Sequence, residues 1–473
     1  MKTLLARPGL PKNMVLNVMP PVGLGYLATA VRKANVGEVA VLDCLKEDLS
    51  LDKFLDYVKK YSPDIIGFQI FSHDVGAINE WISCIKSFNR SIIVVVGGPH
   101  PSGTREDCLR HIPLADFAFN GEAELSLPQF IKLIEKNKGV SVLPEDEFKK
   151  IPGLIWRKKD GSVVVNECVF NEDLDSLSPV AWDLMDPNSY PEAPQGVVFR
   201  KLPVAPIVIT RGCPYQCTFC AGKTISGEKI RRRSLKDVLN EIEALYNKYG
   251  VREFHVLDDN FTLDRNYIQN FCNEIINRNF KIWWCCPNGI RLDTLDEEIL
   301  RLMKKSGCYY ISVGIESGSD RMLKAMKKGL SVDKIRKQVN LIKKAGFDVN
   351  GFFIIGFPGE TEEDILSTLR FSQSLPLTRA AFYNFLPLPG TEVYDSLRKS
   401  GEISEPDWQQ MFQTKHPYCP KGISRSRLNE LQHAAYRNFY ARPKILFSLI
   451  KEIRTLNQLK FIIRRAWLCL GLG

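Results

Sequence analysis

The chain has 473 residues, which is enough for two or three domains at roughly 100–200 residues each. Hydrophobic residues make up 44% and charged residues 25%, values that indicate a globular protein and exclude a mostly disordered chain. The net charge of +10 allows an anionic partner, and it equally fits a solvated basic surface.

The sequence pattern contains no export or membrane-spanning signal. The start, MKTLLARPGLPKN, has no apolar core of a signal peptide, and no uncharged apolar run reaches about 18 residues. We therefore expect a cytoplasmic protein. In that compartment the 13 Cys are expected to serve as metal ligands or buried free thiols rather than in disulfides.

Residues 1–135 alternate short apolar runs with amphipathic helical patterns. The runs MKTLLARP, VAVLDC, DIIGFQIF, SIIVVVGG and ADFAFNG are short and rich in β-branched residues, as in strands that are buried on both faces. Strand–helix alternation predicts a doubly wound, Rossmann-like parallel sheet with the order 2-1-3-4-5. Ligands of such sheets bind at the carboxyl ends of the strands.

The remainder divides into three parts. Residues 136–200 are predicted to be a linker with a hairpin around Asp160 and Gly161. Residues 201–405 resume the alternation with six strand candidates, which predicts a partial (β/α)6 barrel. Residues 406–473 are predicted to be a helical C-terminal region that ends in a basic amphipathic tail. The overall fold class is therefore α/β.

The most specific motif is a cysteine array that follows the first of these six strands. Cys213, Cys217 and Cys220 have the spacing C-x3-C-x2-C in the segment RGCPYQCTFC. Three thiolates on one short loop can hold three corners of an iron–sulfur cube and leave the fourth iron open. A structural zinc site is the alternative, and it would need a fourth ligand such as His255.

This array at this place resembles the signature of the radical S-adenosylmethionine (SAM) superfamily, over roughly residues 200–400. The resemblance implies a 4Fe–4S cluster on the three cysteines, whose open iron chelates SAM. It also implies cleavage of SAM to a 5′-deoxyadenosyl radical, fed by an external one-electron reductant of the flavodoxin or ferredoxin type. Phe219, before the third cysteine, is implied to pack near the adenine.

The resemblance extends to further strand ends, where the site of a barrel is expected. Asp258, Asp259 and Asn260 are implied to bind the SAM amino group, although many members of the superfamily have Gly-Gly-Glu there. The motif of Glu316, Ser317 and Gly318 is implied to contact the SAM ribose and carboxylate. The motif that contains Gly356 is implied to contact the adenine. Asn288 and Arg291 are candidates for further carboxylate or substrate contacts. Turn chemistry alone is the alternative for each motif.

Residues 1–135 resemble the cobalamin-binding domain that is often fused to radical SAM barrels. The resemblance implies that Ser72 bonds the buried nucleotide tail, and that Gly97 and Gly98 let this tail enter. The motif Asp-x-His-x-x-Gly after the first strand is missing, so a protein ligand to cobalt is not expected from this loop. The three implied cofactors are therefore the 4Fe–4S cluster, SAM and cobalamin.

Three functions remain open from the sequence. The first is methyl transfer to an unactivated centre of a lipid, tetrapyrrole or natural product. The others are radical cyclisation or oxidation of a tetrapyrrole-like substrate, and tRNA methylthiolation. Scattered N-terminal cysteines argue against the last, so a small-molecule or lipid-like substrate is expected and nucleic acid is not.

The tail combines apolar residues at helical spacing with a series of cations. Only Glu452 opposes these cations, which are Lys444, Lys451, Arg454, Lys460, Arg464 and Arg465. A basic amphipathic helix predicts peripheral contact with a membrane, and a helix packed on the barrel has the same pattern. Both interpretations stay open, so the protein is expected to be cytoplasmic and membrane association is a hypothesis.

Overall fold

The structure of the protein is a computed structural model that describes residues 1–9, 18–137, 144–192, 194, 198–412 and 415–469. Within these residues, two sheets are flanked by helices, and a helical region follows. The predicted α/β class, with a doubly wound sheet, a partial barrel and a helical C-terminal region, is confirmed.

The first sheet is built from the apolar runs of the N-terminal part. Its strand order is β2-β1-β3-β4-β5-β6-β7, and the first five strands in sequence are parallel, as predicted. The strands are β1 (Lys2–Arg7), β2 (Glu38–Asp43), β3 (Ile65–Gln69), β4 (Ile93–Gly97), β5 (Phe117–Phe119), β6 (Leu154–Arg157) and β7 (Val163–Val165). The helices are α1 (Val22–Lys33), α2 (Leu51–Tyr61), α3 (Val75–Phe88), α4 (Pro99–Thr104), α5 (Cys108–His111), α6 (Ser126–Lys136) and α7 (Glu145–Lys149). Apolar side chains on both faces of the sheet pack against these helices, which gives two cores.

The hairpin around Asp160 and Gly161 differs from the linker that the sequence predicts. Strand β6 pairs antiparallel with β5, and β7 pairs with β6, so the hairpin extends the first sheet. Leu154, Ile155 and Trp156 of β6 are buried. Burial of these three large apolar side chains on β6, between β5 and β7, accounts for this pairing. We therefore propose that the N-terminal unit ends beyond the hairpin rather than at residue 135.

The second sheet has six parallel strands in the order β15-β14-β13-β12-β11-β8 and is open, as expected for a partial barrel. The strands are β8 (Val204–Ile207), β11 (Glu253–Val256), β12 (Trp283–Ile290), β13 (Cys308–Glu316), β14 (Asp348–Ile355) and β15 (Arg379–Asn384), and a small antiparallel pair is formed by β9 (Thr210–Arg211) and β10 (Arg231–Arg232). The helices are α8 (Gly222–Ser226), α9 (Leu235–Lys248), α10 (Arg265–Asn277), α11 (Glu297–Lys305), α12 (Asp320–Ala325), α13 (Val332–Lys344), α14 (Glu362–Ser374) and α15 (Glu392–Lys399). The longer helices begin at polar caps, for example Ser234, Asp264 and Asp296, which accept backbone N–H bonds.

Three helices complete the chain: α16 (Arg425–Tyr440), α17 (Pro443–Glu452) and α18 (Leu456–Cys469). Helix α16 packs on β15 and α14 through Leu428, Leu431 and Phe439. Between the two sheets, the segment after the hairpin clamps α1 to α9, because the Trp182 indole donates to the buried Glu241 carboxylate at 2.8 Å. Glu122 and Glu124 after β5 pair with Arg211 after β8, which brings the carboxyl edges of the two sheets together.

Candidate functional site

The three cysteines lie on a loop between β9 and α8 that the protein backbone holds on several sides. Cys213 N–H donates to the Gly227 carbonyl at 3.1 Å, and Thr218 bonds the backbone of Met326 and Val393. Gly212 before the loop has φ +92°, and a Cβ there would lie 2.2 Å from the Lys229 carbonyl oxygen. Only glycine fits this close approach, so Gly212 determines how the chain enters the loop.

All three cysteines are free thiols, and their sulfurs do not all lie within 4.8 Å of one another, as the ligands of a single ion would. Two sulfurs on one zinc lie about 3.8 Å apart, given a Zn–S bond of about 2.3 Å. Among the described residues, only Glu253, His255 and Cys285 bring three such ligand atoms within 4.8 Å of one another. His255 therefore lies in another cluster and is not a fourth ligand of the cysteine loop. Burial raises the pKa of all three thiols, to about 11 for Cys220, so binding of a cluster must release their protons.

The acidic pair after β11 has two different environments. Asp258 accepts from Ile209 N–H and from the amide and hydroxyl of Thr210, all within 2.8 Å. Burial raises the pKa of Asp258 to about 7 despite these bonds. This carboxyl therefore ties β11 to the strand before the cysteine loop, and Asp258 also lines the cavity described below. Asp259 is exposed at the wall of a cavity.

Asn260 is a buried amide without an internal partner. Its side chain is 2% exposed, and neither its Oδ1 nor its Nδ2 bonds any described residue. An unpaired buried amide is costly, so the Asn260 amide is a candidate for bonding an external partner. Asp259 and Asn260 thus supply the carboxylate and amide that an ammonium group of a ligand would need.

At the turn that ends β13, Glu316 forms an ion pair, whereas Ser317 and Gly318 stabilise the turn. Glu316 has φ +66° and accepts from the Lys328 ammonium at 2.8 Å. Burial alone would lower the pKa of Lys328, but the Glu316 carboxylate outweighs it and this pKa is raised. Ser317 and Gly318 instead bond Thr368 of α14, so they hold the turn in place.

The turn after β14 is closed by a carboxyl that the sequence analysis did not select. Glu360 accepts from Gly356 N–H at 2.6 Å and from Phe357 N–H at 3.1 Å. Burial raises the pKa of Glu360 to about 8. Phe219 packs in the same apolar cluster as Phe357, so the predicted adenine-side residues come together.

Asn288 and Arg291 connect the end of β12 to its neighbours. The Asn288 amide donates to the Leu257 carbonyl at 2.6 Å. The Arg291 guanidinium lies 3.7 Å from the ring centroid of Tyr215, inside the cysteine loop, and also bonds Asp293. Both residues support the loop and its neighbouring strand end in this structure.

A buried ion-pair network joins the two carboxyl edges. Arg211, two residues before Cys213, bonds Glu124 at 2.8 Å and Glu122 at 3.2 Å, and these carboxylates follow β5. Arg231 makes two bonds of 2.7 Å to Glu122. The sequence analysis missed this network, although two carboxylates directly after a predicted strand at the ligand edge were a usable signal.

One cavity of about 300 Å³ lies where the two edges meet. Its walls include Gly97, Gly98 and Gln69 from the first sheet, and Arg211 and Asp259 from the second unit. A Cβ on Gly97 would meet no atom within 4 Å, so this glycine leaves open space. Gly98 has φ +105° and approaches the Ile70 backbone, where a Cβ would lie 3.0 Å from the carbonyl oxygen. A glycine-lined slot of this size fits the insertion of a flat or extended cofactor tail.

Ser72 does not line this cavity, in contrast to its predicted role. Its hydroxyl lies 3.1 Å from Nδ1 of the buried His100, whose other nitrogen lies 3.3 Å from His111. Trp408 packs against both imidazoles. The polar residue of β3 that lines the cavity is Gln69, the last residue of the strand.

Two family models match the two units of the chain. The model described as the radical SAM superfamily matches residues 207–372, and the B12 binding domain matches residues 13–131. An uncharacterized methyltransferase of Pyrococcus horikoshii is 31% identical over 458 residues, which cover 96% of this chain and 94% of that protein.

Two other relatives carry more specific names. Cytidylyl-2-hydroxyethylphosphonate methyltransferase of Streptomyces wedmorensis is 28% identical and covers 81% of this chain and 78% of its own length. Anaerobic magnesium-protoporphyrin IX monomethyl ester cyclase of Cereibacter sphaeroides is 26% identical, with 90% and 68% covered.

Solved structures share the fold across both units. The radical SAM methyltransferase TsrM from Kitasatospora setae, with cobalamin and a [4Fe-4S] cluster bound, has a TM-score of 0.72 at 19% identity and covers 93% of this chain and 88% of its own. The cobalamin-dependent enzyme OxsB, with aqua-cobalamin and S-adenosylmethionine bound, has a TM-score of 0.75 at 17% identity, with 98% and 70% covered.

Proposed function

The chain belongs to the radical SAM superfamily and carries a B12-binding domain, and from this premise we propose that it transfers a methyl group to an unactivated carbon or phosphorus of a small-molecule substrate. Its cofactors are a 4Fe–4S cluster, SAM and cobalamin, and its electrons come from an external reductant. When bound, the cluster and SAM supply a 5′-deoxyadenosyl radical and cobalamin supplies the methyl group. The observation that carries the proposal is a cavity among the described residues that is lined by both carboxyl edges.

Cys213, Cys217 and Cys220 would hold the cluster. Three free thiols on a backbone-braced loop, spaced wider than a single ion needs, support this role. Asp259 and the unpaired amide of Asn260 would bind the SAM amino group. Asp258 would act through them, by holding the loop strand in register with β11.

Glu316 and Lys328 would face the polar end of SAM, beside the cluster loop. The backbone bond from Thr218 to Met326 brings the two segments together. Gly356 and Phe219 would border its adenine, with Glu360 holding the turn shape.

Gly97, Gly98 and Gln69 would hold the nucleotide tail of cobalamin. The open space at Gly97 supports entry of the tail, and the Gln69 amide supports a hydrogen bond to it. We propose Gln69 for the polar contact because the Ser72 hydroxyl is already paired with His100.

The substrate class follows from chemistry that the relatives share rather than from this cavity. The names of two relatives describe methyl transfer, and one of these concerns a phosphonate. We propose a lipid, tetrapyrrole or natural product as methyl acceptor, a flavodoxin or ferredoxin type of reductant, and no nucleic-acid partner.

Radical cyclisation or oxidation of a tetrapyrrole-like substrate is the second candidate. The cyclase of Cereibacter sphaeroides is similar over 90% of this chain, and this similarity favours the candidate. Methylthiolation of tRNA is disfavoured. Its second cluster would need three N-terminal cysteines, but Cys44 follows β2, Cys84 lies in α3 and Cys108 begins α5.

The test uses anaerobically reconstituted holoenzyme with SAM that carries a labelled methyl group, a reductant and extracts containing candidate substrates. Methyl transfer predicts label in a product together with 5′-deoxyadenosine, and neither with Cys217→Ala. An unlabelled product that has lost hydrogen would favour the cyclase alternative. Labelled product formed without any 5′-deoxyadenosine would contradict the radical reaction.

A further inference from the structure

The C-terminal helices concentrate the exposed apolar side chains of the molecule. Six of the twelve exposed large hydrophobic residues among the described positions lie between residues 446 and 467. They are Leu446, Phe447, Ile450, Leu456, Ile463 and Trp467, and we call them the tail face. Exposed apolar side chains that are scattered singly need no explanation, but half of them in one short segment indicate an interaction surface.

Each helix presents this apolar side outward while another side holds it to the protein. In α17, Ile445 is buried, whereas Phe447 is 61% and Ile450 is 64% exposed. In α18, Gln458 is 1% exposed and its side chain accepts from Arg454 N–H. Leu456, Ile463 and Trp467 recur at helical spacing on the outward side. The predicted packing of the tail on the core is therefore observed for one side of each helix, and it leaves the tail face uncovered.

Cations surround the tail face. Lys444, Lys451 and Lys460 are exposed, and Glu452, the sole acid among the described residues of both helices, is paired with the largely buried Arg379. A second copy of this chain would bring like charges together at such a surface, which is unfavourable. An anionic lipid surface would attract the cations electrostatically and accept the apolar side chains between its headgroups.

We propose that the tail face docks the protein reversibly on an anionic membrane surface. No helix among the described residues is long and apolar enough to cross a membrane, so the docking is peripheral. The helices attach near the amino ends of the second sheet, because Glu452 bonds Arg379 at the start of β15 and Arg454 bonds the Phe199 carbonyl before β8. The cysteine loop lies at the opposite, carboxyl ends. The surface is thus a tether, independent of the proposed chemistry.

The experiment measures sedimentation of the full-length holoenzyme with vesicles of phosphatidylcholine alone or mixed with phosphatidylglycerol. We expect binding to the mixed vesicles at low salt, a loss of about tenfold or more for Lys451→Glu combined with Lys460→Glu, and loss of binding for Phe447→Glu combined with Ile450→Glu. Phe88→Glu, on α3, is the matched control because Phe88 is 51% exposed outside the tail, and it should bind as wild type does.

Three outcomes would overturn the proposal: equal binding to both kinds of vesicle, no binding of the wild type, or unchanged binding of both double variants. Light scattering tests for a fourth such outcome. If the wild type is a dimer and Phe447→Glu combined with Ile450→Glu makes it a monomer, the tail face serves self-association. Thermal unfolding and cluster absorbance show whether each variant is folded. SAM cleavage in solution should be equal in wild type and the tail variants, so a failed tether and a failed proposed reaction remain distinguishable.

Discussion

The two carboxyl edges that line the cavity are built in opposite ways. The edge of the second sheet presents side chains with specific chemistry: three thiols, a carboxylate and an unpaired amide. The edge of the first sheet contributes Gly97 and Gly98, and the open space at Gly97 is its distinctive property. A cluster needs ligand atoms, whereas a large preformed cofactor needs room for its own atoms. The comparison teaches that a cofactor site can be defined by side chains that are absent.

The largest expected effect breaks one edge and leaves the other. Replacing Cys213, Cys217 and Cys220 together with Ala should abolish cluster binding and SAM cleavage, because no thiolate remains on the loop. Corrinoid binding should persist, since Gly97 and Gly98 are untouched. Iron and cobalt content, measured with 5′-deoxyadenosine formation, check this. Cys84→Ser, at a half-buried thiol in α3, is the control. Iron retained by the triple variant would refute the assignment.

The converse variant breaks the first edge. Gly97→Trp should fill the open space, abolish corrinoid uptake, and leave iron content and SAM cleavage intact. Gly97→Ala should keep corrinoid, because a Cβ there meets no atom within 4 Å. Gly98 is a poorer choice, since its φ of +105° would add backbone strain to any effect on binding. Full cobalt loading of the Trp variant would show that the tail lies elsewhere.

A third change removes the ion pairs of Arg211 that connect the two edges. Arg211→Met should lower the free energy of unfolding by about 3–5 kcal/mol, because it leaves the buried Glu124 unpaired. Adding Glu124→Gln should recover part of that loss, since the buried charge is then gone. Arg32→Met removes an exposed pair with Asp183 and should cost less than about 1 kcal/mol. Denaturant unfolding measures the stability of the three variants. If the double variant loses more stability than Arg211→Met alone, the losses add and the two residues are not coupled.

The smallest effect concerns pH at the adenine-side turn. The pKa of Glu360 is about 8 when folded, against an ordinary 4.5, so the folded state holds the proton more tightly. Its contribution to stability is therefore present below pH 4.5 and is lost as pH rises to about 8. Glu360→Gln lacks this loss and should gain about 2 kcal/mol on wild type between about pH 5.5 and 7. Parallel stability curves would mean that Glu360 does not titrate in this range.

The sequence predicts the fold well because its information is local. Strands β1, β3 and β4 are short runs of mostly buried apolar residues, and the order of a parallel sheet is restricted by right-handed crossovers. The hairpin was assigned to a linker because its pairing with β5 joins residues far apart in sequence. Periodicity in one segment does not reveal which edge it will extend.

The sites follow the same rule. The cysteine loop is predictable because its three ligands are adjacent in sequence, whereas Lys328 and the partners of Arg211 pair only after folding. The pairing of Ser72 with His100 was not predictable, because the chain leaves β3 in a short helical turn that ends the alternation of faces. Gln69, the last residue of the strand, lines the cavity.

The central claim is that one cavity between the two edges serves both cofactors. Cobalt(II) in cobalamin and a reduced cluster are both paramagnetic, so electron paramagnetic resonance of the frozen holoenzyme tests their proximity most directly. The account predicts mutual broadening of the two signals in wild type. It also predicts an isolated cluster signal in Gly97→Trp. Two independent, unperturbed signals in fully loaded wild type would contradict a shared cavity.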